Sequence, residues 1–190
     1  MSKLSENFTI AEYTKSQTAT RHGIDNSLSE EHLENAKKLF ANVVQPIREK
    51  FGVTLITSGY RSPELNSKIG GSSKSQHCKG QAVDLECLKE SNADVAMWIE
   101  NNLDFDQLIL EFYTIGDPRS GWVHVSYNDY GKNRKSVLTA SRVNGKTVYS
   151  KGFECLRKRN IQTDTHKESG IESLVMVKFQ MNTREINVYS

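Results

Sequence analysis

Cysteine is scarce in these 190 residues: three, Cys78, Cys87 and Cys155, an odd number at wide spacing. That argues against a disulfide framework and fits synthesis in a reducing compartment. Charge of one sign is equally scarce. Lys and Arg total 25 against 23 Asp and Glu, a formal net charge of +2 with no dense basic stripe. Such a balance gives no footprint for nucleic acid. Long apolar runs are missing as well. Nothing approaches the ~20 apolar residues of a membrane span, and the opening Met-Ser-Lys-Leu-Ser-Glu-Asn-Phe carries no apolar stretch of signal-peptide length. The expectation is a protein made in the cytoplasm, which meets any substrate outside only if something else releases it.

What is present suits one domain with an appendage. The hydrophobic fraction of 36% is low but sufficient for a core. Thr-Ile-Ala-Glu at 9–12 reads as a capping box opening a short helix, and Ser-Leu-Ser-Glu at 27–30 as a second. Leu33, Ala36, Phe40, Val43 and Ile47 recur at steps of three and four, the period of an amphipathic helix. Pro46 either kinks the end of that helix or cuts it short. Residues 53–57 read as a buried strand, 70–73 as a loop, 81–87 as a strand, 94–101 as a helix, 107–112 as a strand and 116–121 as a turn. Residues 122–127 form a strand with Trp122, His124 and Ser126 on one face. Asn144-Gly145 favours a tight hairpin between 136–140 and 146–150. Helices come first and strands dominate later, so the expected class is α+β with an antiparallel sheet. The domain is set at 1–150 and an extension of unreadable role at 151–190, within which 174–181 alternates like a strand.

The chemistry lies in Ser-Gln-His-Cys-Lys-Gly-Gln-Ala-Val-Asp at 75–84 and Trp-Val-His-Val at 122–125. His77, Asp84 and His124 can supply two imidazole nitrogens and a carboxylate oxygen to one zinc, and three protein ligands leave the fourth tetrahedral position open, as catalytic sites do. Water on zinc ionises near neutral pH and can attack an amide carbonyl. Gly80 permits a tight turn behind His77. Cys78, beside a ligand, points apart from it, and His22, His32 and His166 read as ordinary surface or core histidines. Arg61, at the end of the first strand, either binds a substrate carboxylate or oxyanion or makes a surface ion pair. Glu111, inside an apolar strand, either faces solvent or serves as general base and then acid. Trp122 either walls a cleft or packs in the core.

These residues resemble a known family. Ser-x-His-x-x-Gly-x-Ala-x-Asp followed by Trp-x-His is similar to the D-Ala-D-Ala carboxypeptidase branch (peptidase M15) of the zinc peptidases that also include lysostaphin-type enzymes and hedgehog domains. Ser58-Gly-Tyr-Arg-Ser62 matches that branch's strand-end arginine motif. Phe8-Thr-Ile-Ala-Glu-Tyr13 with Arg21-His-Gly-Ile-Asp-Asn26 looks like the N-terminal portion of its phage and prophage members. The resemblance covers about residues 5–130. It implies a hedgehog/D-Ala-D-Ala-peptidase-like fold, a central antiparallel sheet with N-terminal helices. It also implies zinc held by His77, Asp84 and His124, Arg61 orienting substrate or stabilising the transition state, and hydrolysis of peptidoglycan stem peptides. Many relatives carry an acid three positions before the last histidine; here that position is Gly121, and the trailing His-x-His is reduced to His124-Val-Ser126. Glu111 is the substitute base and Asp117 the second choice.

Three functions compete. The first is a zinc peptidase of the cell wall, a D,D-carboxypeptidase or L,D/D,D-endopeptidase, acting as a phage lysis or entry protein. It would reach the wall through a holin-type membrane hole or on a virion. The second is a non-catalytic zinc module organising a binding surface, favoured by Gly121. The third is a virion structural protein docked through the segment after Lys151.

Overall fold

The computed structural model describes residues 2–129, 131–153 and 156. Cys155, His166 and the strand expected at 174–181 lie outside them. A short hairpin of β1 (Lys3–Ser5) and β2 (Phe8–Thr9) opens the chain, followed by helices α1 (Ile10–Thr14) and α2 (Gln17–His22). The first capping box is present in both directions: the Glu12 amide donates to Thr9 Oγ1, and the Thr9 amide donates to the Glu12 carboxylate at 2.8 Å.

The second expected capping box does not form, and its helix begins two residues later than expected. Helix α3 (Glu30–Leu39) is capped by Ser29, whose hydroxyl accepts from the His32 amide. Ser27 instead donates its amide to the Asp25 carboxylate in an Asx turn, which holds the chain outside the helix. From α3 the helix runs on through a π turn (Phe40–Val44) into α4 (Gln45–Phe51). Pro46 does not end it. In the π turn the Gln45 amide reaches back five residues to the Phe40 carbonyl, and this one-residue skip takes up the proline's missing donor.

Strand β3 (Thr54–Ser58) leads to α5 (Pro63–Lys68), a 3-10 turn (Gln76–Lys79), β4 (Ala82–Cys87), α6 (Asn92–Asn102), β5 (Gln107–Glu111), β6 (Trp122–Ser126), β7 (Ser136–Val143) and β8 (Lys146–Lys151). The last six strands named form one sheet in the order β3-β4-β6-β5-β7-β8. β3 is therefore an edge strand rather than a buried one, and Leu55 on its uncovered side is 46% exposed. The expected antiparallel sheet needs one correction: β5 and β7 are parallel. Ser126, the last residue of β6, sits opposite Gln107, the first of β5. A chain leaving β6 passes the starting end of β5, and the strand it begins there runs alongside β5. Asn144 and Gly145 take φ of 50° and 75° in the β7–β8 hairpin, as the Asn-Gly pair requires.

The sheet has two unlike faces. Val83, Leu85, Leu108, Leu110, Val123 and Val125 are fully buried and share one core with Leu39, Phe40, Val43 and Ile47 of the long helix and Val95 and Ile99 of α6. Burial of each such side chain stabilises the fold by roughly 1.5–3 kcal/mol. Phe153, beyond β8, is buried in this core too. The other face carries the polar residues that alternate with the core ones, Asp84, His124 and Ser126 among them. Among the described residues, no helix is long and apolar enough to cross a membrane.

Candidate metal and catalytic site

Register places two of the three candidate ligands. Asp84 of β4 sits directly opposite His124 of β6, so both side chains project from the polar face of the sheet. His77 arrives from the 3-10 turn that precedes β4. Gly80 closes that turn at φ 69°, and a Cβ there would run into the His32 carbonyl, so glycine is required on both counts.

The donor atoms converge. His124 Nδ1 lies 2.8 Å and His77 Nε2 3.3 Å from the same Asp84 oxygen, Oδ1, and the two imidazole nitrogens are 3.3 Å apart. The His77 Nδ1–H donates to the Gly59 carbonyl at 2.7 Å, which fixes the tautomer and leaves the Nε2 lone pair facing the cluster. All three residues are buried. Burial depresses the His77 pKa despite the nearby Asp84 charge, keeping the imidazole neutral and able to ligate. Burial pushes the Asp84 carboxyl up, but His77 and His124, both within hydrogen-bond reach, outweigh burial and hold Asp84 well below the usual carboxylate range. Two neutral nitrogens and one anionic oxygen, all within 4.8 Å of one another, fit a zinc ion. Cys78 is not part of this cluster.

Arg61 lies beside the cluster. Its Nη2 donates to Asp84 Oδ2 at 2.8 Å and lies 3.4 Å from His77 Nε2, while its Nε donates to Ser58 Oγ at 3.0 Å. The ion pair is therefore made with a candidate metal ligand and not at the open surface. Arg61, the three candidate ligands, Glu111 and Trp122 all line one groove of about 1110 Å³. Glu111 pairs with Trp122 across β5 and β6, two positions along from the Ile109–His124 pair, which puts its side chain on the same face as His124. Burial, and then the Asp84 charge, raise its pKa above the ordinary glutamate value. Asp117 is exposed in the β5–β6 turn, where its carboxylate accepts from the Arg119 amide. It is not among the groove residues. Trp122 contacts Phe112 edge-on at 5.3 Å and forms part of the groove wall.

Gly121 has a structural reason. Its φ is 65°, and a Cβ would collide with the backbone of Glu111 and Phe112. This backbone leaves no room for an acid at that position.

Several supporting residues left no readable signal. His32, taken as ordinary, lines the groove and places Nδ1 3.1 Å from the Tyr60 hydroxyl. The Ser126 hydroxyl, where the resemblance leads one to look for a histidine, donates to Gln76 Oε1 at 2.9 Å and so ties β6 to the turn bearing His77. The Tyr13 hydroxyl donates to the Ala82 carbonyl at 2.9 Å. These bonds join residues far apart in sequence, and no local spacing announces them.

Comparison with known proteins adds one finding. Residues 6–126 match the family model described as Peptidase M15. No curated protein matches the chain.

Proposed function

The chain belongs to the peptidase M15 family, whose model spans well over half of it, and we propose that it is a zinc-dependent peptidase hydrolysing the stem peptides of peptidoglycan. The observation that carries this reading is the convergence of His77 Nε2, Asp84 Oδ1 and His124 Nδ1 in a groove that also holds Glu111 and Arg61. The scaffold is read as the hedgehog/D-Ala-D-Ala-peptidase-like one. The same reading has the protein act on the wall after passage through a membrane hole made by another protein, or from a virion.

Zinc, when bound by these three residues, would supply a Lewis acid that acidifies water and polarises a carbonyl. The chain's own side chains do the rest. Glu111, whose burial favours uptake of a proton, accepts one from the attacking water and returns it to the leaving amine. Arg61 neutralises Asp84 Oδ2 and keeps Oδ1 turned toward the imidazoles. Its remaining N–H groups are available to a substrate carboxylate or to the oxygen that gains charge. Trp122 covers one side of the groove and limits water there.

A second reading, a non-catalytic zinc module, is favoured by Gly121, which leaves the usual position of the acid empty. Digestion of purified peptidoglycan followed by mass spectrometry of the fragments separates the two. Released stem-peptide fragments support the peptidase and identify the bond. Intact walls of several chemotypes, with a protein shown to hold one zinc, favour the module.

A further inference from the structure

The segment Arg21-His-Gly-Ile-Asp-Asn26 joins α2 to α3. Helix α2 ends at Gly23, φ 64°, and the Ile24 amide returns to the Ala19 carbonyl. The turn delivers Asn26 to the strand-end loop that carries Arg61. There the Asn26 side chain makes three hydrogen bonds. Its Nδ2 donates to the Tyr60 carbonyl at 3.0 Å and to the Thr14 carbonyl at 2.8 Å, and its Oδ1 accepts from the Ser62 amide at 2.7 Å. One amide thus grips the residue on each side of Arg61 and anchors both to the end of α1.

The rest of the loop is held in the same way. The Tyr60 amide donates to the Tyr13 carbonyl at 2.8 Å, and the Arg61 amide to the His77 carbonyl at 3.3 Å. Gly59 lies so close to Tyr13 that a Cβ would collide with it. The backbone around Arg61 is therefore fixed by two N-terminal residues, Tyr13 and Asn26, and by a candidate metal ligand. An asparagine suits this place because one planar group supplies both the donors and the acceptor that the loop requires.

We propose that Asn26 is a positioning residue for Arg61: through Tyr60 and Ser62 it sets the direction in which the guanidinium enters the groove. The inference rests on the reading of Arg61 as part of the reacting groove. It assigns to the N-terminal segment a role in turnover.

The test combines two independent readouts on the full chain. In nitrogen-15 NMR, the Arg61 Nε–H resonance, identified by its loss in Arg61→Lys, reports the bond to Ser58 directly and needs no activity. Asn26→Ala should shift or broaden this signal while zinc content stays at one equivalent. In kinetics, Asn26→Ala should lower kcat/KM on the order of a hundredfold, the size of loss a misplaced group can cause, and the loss should vanish in an Arg61→Ala background. An unchanged Arg61 resonance, or losses that add in the double variant, would overturn the proposal. If Asn26→Ala does not fold, Asn26→Asp keeps the acceptor for Ser62 and turns a carboxylate oxygen toward the Tyr60 and Thr14 carbonyls in place of the donors; it should move the same resonance, and no movement overturns the proposal. A wild-type protein that cleaves no peptide would defeat the peptidase reading, and the NMR arm would still decide whether Asn26 orients Arg61.

Discussion

Arg61 and Asp84 meet through a single oxygen: Nη2 lies 2.8 Å from Oδ2, while Oδ1 is left to the two imidazoles. The carboxylate is thereby divided into a side that neutralises the guanidinium and a side that can face a cation. A carboxylate so placed ligates through one oxygen without losing its charge balance.

His77→Ala, Asp84→Asn and His124→Ala should each lose zinc and turnover together, because each removes one of the three proposed ligands. Zinc content by mass spectrometry and turnover on the same sample check this. A variant that keeps one equivalent of zinc would remove that residue from the ligand set.

Glu111→Gln should keep zinc and lose turnover by about 10²–10⁴-fold, the usual worth of general acid–base catalysis. Glu111 must be ionised to accept a proton, so the wild-type rate should rise with pH through a pKa above the ordinary glutamate value, as burial and Asp84 dictate. That limb should be absent from any residual activity of the variant. Asp117→Asn, in an exposed turn, should stay close to wild type. The opposite ranking would move the base to the turn.

Gly121→Asp should fail to improve the enzyme. It places a side chain where φ is 65° and where a Cβ meets the Glu111 backbone. Backbone strain of this kind costs on the order of 1–3 kcal/mol before the collision is counted. Thermal unfolding should show a lowered Tm, and turnover should fall because Glu111 moves. A stable, more active Gly121→Asp would show that the turn adapts and that the acid belongs there.

Low pH should weaken the metal-free fold. Burial holds His77 below the ordinary imidazole pKa. The sign for stability follows from the same shift. Below about pH 6.5 the unfolded chain takes up a proton at His77 that the folded chain resists, so the metal-free fold loses stability as pH falls. Denaturant midpoints of the metal-free protein between pH 7 and 5 check this, and a midpoint that does not fall with pH would contradict it.

The site was readable wherever it depends on local spacing. Asp84 falls on a strand because residues 82–87 alternate, and the Trp122–His124–Ser126 face follows from the same period. The Thr9 cap and the Asn144-Gly145 hairpin were equally local. What spacing does not carry is which strands become neighbours. That β6 lies between β4 and β5, and so brings His124 against Asp84, is set by pairing across the sheet. The parallel β5–β7 pair follows from that insertion. The start of α3 was misplaced because Ser27 and Ser29 look alike in sequence, and only the Asx turn from Asp25 distinguishes them. The reason for Gly121 lies in a close approach to the Glu111 carbonyl, which residue types alone do not disclose.

The most direct test of the central claim is to strip the protein with a chelator and add zinc back in steps, following bound metal and stem-peptide hydrolysis together. Activity that is absent without metal, rises with bound zinc and saturates at one equivalent is the predicted result. Full hydrolysis by the stripped protein, or one bound zinc with no hydrolysis at any wall chemotype, would contradict it.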